Sequence, residues 1–511
     1  MKSTPLSLIA GVVALAAVTG FAALNAPGGG DTTQAGAAAR LPVERSSLLC
    51  PAPSTSDLAE TEYTSFTPKG ENGGEGGAAE LKAAEALPVD EDVDEEEDAD
   101  KDKGDADKEK ASDGKPVVSL KDLGKPATAD TTKTDAPALV GTATGRFAPG
   151  WTAQQTTTTA AGSARGLLGV SCTAPDTDFW FPGASTAASR QDYVHLTNPD
   201  DTAAVADIEL YGADGPLKSD VGEGITVPAR SSVPMLISTL TSEAATNVTV
   251  HVTTRTGRVG AVVNAAEDEV GSDWLAASAD PAVTQVLPGI PADATSVRLV
   301  AFAPGEDDAD VKVQLMGKNA TFSPAGNATL HIKSQMTAAL DLKDVTRGEP
   351  GSLRLSPADG SRTPVVAALR VVRGTGVKQE VAFIPATEAV GERASVADNR
   401  AKGSVLSLTA PGATAEVKVT ASAGSESGEG TVKTYTVKGG TTLEVTPEAP
   451  AGLKGGYALT VETESGGPVH AARTLKITEG GVDMFTVQTL PDDGGSVEVP
   501  AAEQDLSVLD D

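Results

Sequence analysis

The groups in this chain that could do chemistry are few. Histidines stand at His195, His251, His331 and His470, cysteines at Cys50 and Cys172, and the run Asp90 to Lys110 holds 13 acidic and 4 basic residues in 21 positions. A histidine beside a nucleophile or a carboxylate would serve acid–base catalysis. Here each histidine lies between two apolar or small residues, as in Val194-His195-Leu196 and Val250-His251-Val252. Strand alternation then turns each ring to the opposite, solvent-facing side. The four are also far apart in sequence. No H-E-x-x-H and no G-x-S-x-G occurs, and Ser171 in "GVSCT" lacks the second glycine of a nucleophile elbow. Spacing leaves a glycosidase-type carboxylate pair open. Most carboxylates nevertheless sit in turns or in the acidic run, where solvated charge is their ordinary role. No catalytic residue is assigned and no cofactor is expected.

The acidic run fails as a metal site on spacing. An EF-hand loop reads D-x-[DN]-x-[DN]-G with a glutamate at its twelfth position. Asp98, Asp100 and Asp102 alternate correctly, but Lys103 occupies the glycine position. No metal ligand is assigned.

The cysteines point to a bridge. Lys2 precedes an uncharged apolar stretch, Leu6 to Leu24, which reads as a secretory signal or a signal-anchor helix. No cysteine follows it to carry a lipid, and no apolar stretch with a basic tail closes the C-terminus for a wall anchor. Outside the cytoplasm a lone pair of cysteines reads as a disulfide. Cys50 in "SSLLCPAP" and Cys172 in "GVSCTAP" share a context, and neither has a histidine nearby for a metal site. A Cys50–Cys172 bridge places the acidic run inside the closed loop. The run then belongs to a disordered insertion, about residues 69–137, flanked by "KGENGGEGG" and "KPATADTTKTDAP".

Composition narrows the partners. Net charge is -31 over 511 residues, with 71 acidic against 40 basic side chains. That balance argues against nucleic acid and against an anionic lipid surface. Membrane contact is expected only through the N-terminal helix.

The elements that would position these groups are strands. Aromatics make up 3% of the chain and Gly plus Pro number 54 and 32, a composition of short strands and turns. Apolar residues alternate with period two at Val194-x-Leu196, Ala206-x-Ile208-x-Leu210, Val248-x-Val250-x-Val252, Val311-x-Val313-x-Leu315 and Tyr457-x-Leu459-x-Val461, among others. The block Tyr193 to Gly215 repeats in pattern at Val297 to Ala320 and at Val405 to Glu426, a period of about 105 residues and the size of one sandwich. The expected fold is all-β. Three tandem immunoglobulin-like β-sandwich modules follow an N-terminal apolar leader helix. The expected boundaries are a leader at 1–27, a linker at 28–44, and modules at 45–285, 286–390 and 391–511. "LPGIP" at Leu287 marks the first joint and Glu388 to Gly403 the second. Limited proteolysis should cut between Glu71 and Thr134, then near the second joint.

The ordered set "LLCPAP", "GLLGVSC", "FWFPG", "YVHLTNPD", "GRVGAVV", "LPGIP" and "PVHAARTL" resembles a family of secreted actinobacterial proteins of unknown function, from about Leu41 onward and outside the acidic insertion. The resemblance implies no activity, cofactor or catalytic residue. Its members are encoded near glycosyltransferases, which implies a link to envelope glycans.

One aromatic cluster invites a ligand. Trp180 lies between Phe179 and Phe181 before a Pro-Gly turn, and exposed aromatics can stack on sugar rings. The competing role is a core aromatic of the first module. The chain is therefore expected to be a non-enzymatic exported protein at the cell surface, structural, adhesive or scaffolding. Its expected partner is envelope polysaccharide or another envelope protein. The alternative is a carbohydrate-binding protein acting through Trp180, Phe179 and Phe181.

Overall fold

Apolar residues at every second position give a strand one wet and one dry face, and two such sheets must meet dry face to dry face. The computed structural model describes residues 39–70, 75–84, 114–219, 221–358, 360 and 362–499, and it is built from strands with three single-turn 3-10 segments. The chain divides into two units, residues 1–41 with 497–511, and residues 42–496. The described part of the first unit belongs to a two-stranded sheet of Ala39–Pro42 with Ser496–Val499. The leader helix and the Asp90 to Lys110 run lie outside the described residues. Among the described residues no helix is long and apolar enough to cross a membrane.

The second unit holds four sandwiches. In the first, eight strands run in order: Arg45–Cys50, Ala59–Phe66, Ala79–Ala83, Val118–Leu120, Ala127–Thr131, Leu139–Thr144, Thr152–Thr159 and Gly166–Ser171. Numbered in chain order, one sheet reads 1-6-3-4 and the other 5-2-7-8, all antiparallel. The same order recurs over Asp178–Leu275, Gln285–Pro385 and Arg393–Leu490, with the fourth strand split into two short pieces in the second and third copies. Each sheet pair encloses its own apolar core. The second core gathers Val194, Leu196, Ile208, Val250 and Val263, and the third gathers Leu299, Val313, Leu353 and Leu369.

This corrects the module count from three to four. Residues 45–285 hold two complete sheet pairs with separate cores, not one. The repeat found in sequence is the run of strand 2 and strand 3, one in each sheet, of the second, third and fourth copies. The first copy escaped because its middle strands are short and polar: AELKA, VSL and ATADT. These strands also correct the 69–137 insertion. Three of them lie inside that range and pair into both sheets, as in Leu81↔Gly141 and Tyr63↔Ala129. Both supposed joints are first strands too. "LPGI" is buried within Gln285–Ile290, and Arg393–Asn399 lies within the second joint.

The disulfide is present. Cys50 ends the first strand, Cys172 directly follows the eighth, and the two are bonded. Limited proteolysis of the folded protein should therefore spare Lys121, Lys125 and Arg393. Early tryptic fragments beginning after any of them, identified by mass spectrometry, would show that these strands do not hold.

Candidate functional site

The eighth strand of each sandwich is buried on both faces, which an outer edge strand would not be. These strands are Gly166–Ser171, Gly271–Leu275, Glu380–Pro385 and Val482–Leu490. Each touches the next, and the fourth touches the first, so the four edges close a cycle. Apolar contacts seal the joints. Leu167 packs on Met484 and Val482, while Leu168 and Val170 pack on Trp274 and Val262. Val381 and Phe383 join the core of the second sandwich, and Phe485 and Val487 that of the third. The four modules form a closed cluster, not a string.

Polar groups from all four sandwiches meet in this hub. Asp273, fully buried, accepts hydrogen bonds from the Gly169 amide at 3.1 Å and from Thr486 Oγ1 at 3.0 Å. Burial holds its carboxyl well above the usual range, and the charge of Glu380 pushes the same way. Glu380 is pushed up to about 7 by burial, against the pull of Arg165. Arg165 Nε lies 2.9 Å from Glu380 Oε1 without hydrogen-bond alignment, while its terminal nitrogens donate to the carbonyls of Val377, Val270 and Gln379. A Cβ at position 169 would sit 2.1 Å from Gln488 Nε2 and 2.7 Å from Thr486 Cγ2, so a side chain there would displace the hub side chains around it.

A second polar network joins the first and fourth sandwiches. Gln154 Oε1 accepts from the Asp398 amide and from Arg473 Nη2, each at 3.0 Å, and Thr156 Oγ1 donates to Asp398 Oδ2 at 2.7 Å. Arg473 has no exposed surface, and burial lowers its pKa to about 10. The network opens on a cleft of about 460 Å³ lined by Glu60, Glu62, Asp130, Asp398, Arg400 and Glu426. Glu62 is shifted upward by burial, then by the charge of Asp398, with Arg400 opposing. This wall can accept hydrogen bonds from hydroxyls or ammonium groups. No histidine or cysteine lines it, so its chemical groups are carboxylates and the Arg400 guanidinium. Among the described residues no three His, Cys, Asp or Glu side chains are grouped to hold a metal ion.

The aromatic site expected from sequence is closed. Phe179 and Phe181 belong to the core of the second sandwich. Trp180, 8% exposed, stacks on His251 with ring centres 3.6 Å apart and on Phe302 of the third sandwich. A platform for sugars needs an open face, and His251 and the third sandwich cover this one. Trp151 and Trp274 are likewise buried. The histidines part company. His331 is half exposed, between Asp308 and Asp310. His195 faces the first sandwich instead of water, and burial drops its pKa to about 4. His470 is half-buried and its Nδ1 meets the Thr387 carbonyl. The structure brings no two of the four together.

Sequence reasoning missed the hub and the Gln154 network. The available signal was the strand TAQQTTTT, whose uncharged polar side chains are almost all buried. A polar strand between apolar ones marks an interface rather than a solvent face. In comparisons with known proteins, no curated protein matches the chain. A family model does match residues 127–448, from the fifth strand of the first sandwich to just past the fifth strand of the fourth. It is described as a family of unknown function, DUF5719. That span is more than half of the chain, which therefore belongs to this family.

Proposed function

We propose that the protein is a non-enzymatic, exported scaffold of the cell envelope, whose body presents surfaces to envelope polysaccharide or to another envelope protein. The observation that carries this reading is the hub. Four sandwiches locked edge to edge make a stiff body, a property that suits display and spacing more than turnover. The apolar stretch Leu6 to Leu24 supports export by a signal or anchor helix, and the Cys50–Cys172 bridge fits an oxidising compartment. Each module is grouped with immunoglobulin-like sandwiches on its two antiparallel sheets and, in the second to fourth copies, a length of about 100 residues. Here a strand is added at the edge that meets the hub.

Carbohydrate binding is the second reading. What favours it is the 460 Å³ cleft between the first and fourth sandwiches, since the aromatics are covered. One experiment separates the readings. Protease added to intact producing cells should degrade the protein while a cytoplasmic marker survives, and the purified protein should leave envelope polysaccharide undigested. Protection inside the cell, or steady release of sugar fragments, would sink the scaffold. Polysaccharide binding that is lost in Glu62→Gln/Asp130→Asn with unchanged melting would favour the second reading.

A further inference from the structure

Basic residues are scarce in this chain, yet three arginines line one cavity of about 140 Å³ between the second and third sandwiches, together with Glu267, Ser189 and Asn247. Arg190 opens the second strand of the second sandwich. Arg298 and Arg370 lie on the second and seventh strands of the third, directly opposite each other in register. Like charges at such a pair repel. Each guanidinium makes its hydrogen bonds through the Nε and Nη2 edge. Arg190 donates through Nε and Nη2 to Asp192, at 2.9 and 2.7 Å. Arg298 uses the same two nitrogens on Asp341, at 2.6 and 3.2 Å, and Arg370 uses them on Glu267, at 2.9 and 2.6 Å. Nη1 of all three makes no hydrogen bond among the described residues. The nearest carboxylate oxygen to Arg190 Nη1 is Glu267 Oε2, at 3.8 Å. The pairs with Asp192, Asp341 and Glu267 fix the planes of the guanidiniums, which is what preorganised oxyanion recognition needs. Burial lowers the pKa of Arg370. Glu267 opposes that shift, and the charges of Arg190 and Arg298 push the same way as burial.

We propose that this cavity binds an oxyanion group, phosphate or carboxylate, gripped by the three unused Nη1 donors with Ser189 and Asn247 completing the wall. The space suits one such group or several waters, and the remainder of a larger ligand would extend outside. The proposal is independent of the scaffold reading and of the acidic cleft.

The test is calorimetric titration of the full chain with inorganic phosphate, glucose 1-phosphate and glucuronate at constant ionic strength, with chloride as the control. Saturable binding is expected for at least one oxyanion and none for chloride. Arg298, the most exposed of the three, can be changed with little risk to the fold. Arg298→Gln should weaken binding about tenfold at unchanged melting temperature, and Arg370→Gln combined with Glu267→Gln should abolish it. Preference among the three probes identifies the source: free phosphate, a phosphate ester, or an acidic sugar. Absence of saturable binding to all three, or equal affinity in parent and Arg298→Gln, overturns the proposal.

Discussion

A Cys50→Ser chain should lose about 2–5 kcal/mol of unfolding free energy relative to the parent, measured by urea denaturation. The bridge spans 122 positions, and closing a loop of that length removes about 4–5 kcal/mol of chain entropy from the unfolded state in the polymer account. The folded state adds a second cost. Cys50 and Cys172 lie in the core of the first sandwich, and a serine hydroxyl at Cys50 would be buried there. Backbone bonds flank the bridge, Leu49 N–H to Thr173 O at 2.8 Å and Thr173 N–H to Leu49 O at 3.1 Å, so the bridge ties two strand ends that already meet. Deleting Asp90 to Lys110 is the control. That run falls between strands that pair directly, Ala79↔Leu120 and Leu81↔Val118. Shortening such a connection changes closure entropy by tenths of a kcal/mol to about 1 kcal/mol. Comparable losses from deletion and from Cys50→Ser would mean that the acidic run is part of the fold. A nick near Asp100 should leave two fragments that separate on a denaturing gel only after reduction.

The hub makes stability depend on pH in a direction opposite to that of ordinary surface carboxylates. Glu380 is raised from 4.5 to about 7. The folded state therefore holds a proton that the unfolded state releases, and the stability so contributed is present in full below about pH 4.5 and is lost as pH rises through 7. A shift of this size corresponds to about 3 kcal/mol. A glutamine in place of Glu380 would mimic the protonated acid. At pH 8 the Glu380→Gln protein should accordingly be more stable than the parent by up to about 3 kcal/mol, and the two should converge near pH 4. The comparison removes groups that act alike in both chains. Chief among these are Asp192, which is raised as Glu380 is, and His195, whose lowered pKa acts in the opposite sense as pH falls below 6.5, whereas Asp273 feels the Glu380 charge and is relieved with it, which adds to the gain at pH 8. Chemical denaturation of both proteins at several pH values between 4 and 8 decides it. A glutamine variant less stable than the parent at pH 8 would mean that the Arg165–Glu380 ion pair outweighs burial.

What the sequence disclosed followed from local pattern. Period-two alternation is set by one strand and its own core, so runs such as Val248-x-Val250-x-Val252 were readable without knowing any neighbour. The bridge was readable because two cysteines leave one pairing. Long-range packing was not. Alternation placed His195 on the face away from its core, which is correct, but the first sandwich lies on that face. Trp180 looked like a platform because sequence shows the aromatic and not the Phe302 that covers it from about 120 residues away. The hub strands carried a hint in their apolar residues on both parities, as in GLLGV and EVAFIP, which a strand wet on one face would not show.

The strand that reaches the hub is always the last of its sandwich to leave the ribosome. Each module can therefore finish its own two sheets in turn, but the cycle of edges stays open until Val482–Leu490 exists. Until then Leu167 lacks Met484, the third sandwich lacks Phe485, and the carboxyl of Asp273 lacks Thr486. Closing contacts join residues more than 300 positions apart, as Leu167 and Met484 are, so loop closure is expected to make this a slow step of folding. An unfinished or C-terminally truncated copy is then a string of sandwiches with sticky edges, able to complete its hub with the strands of another copy.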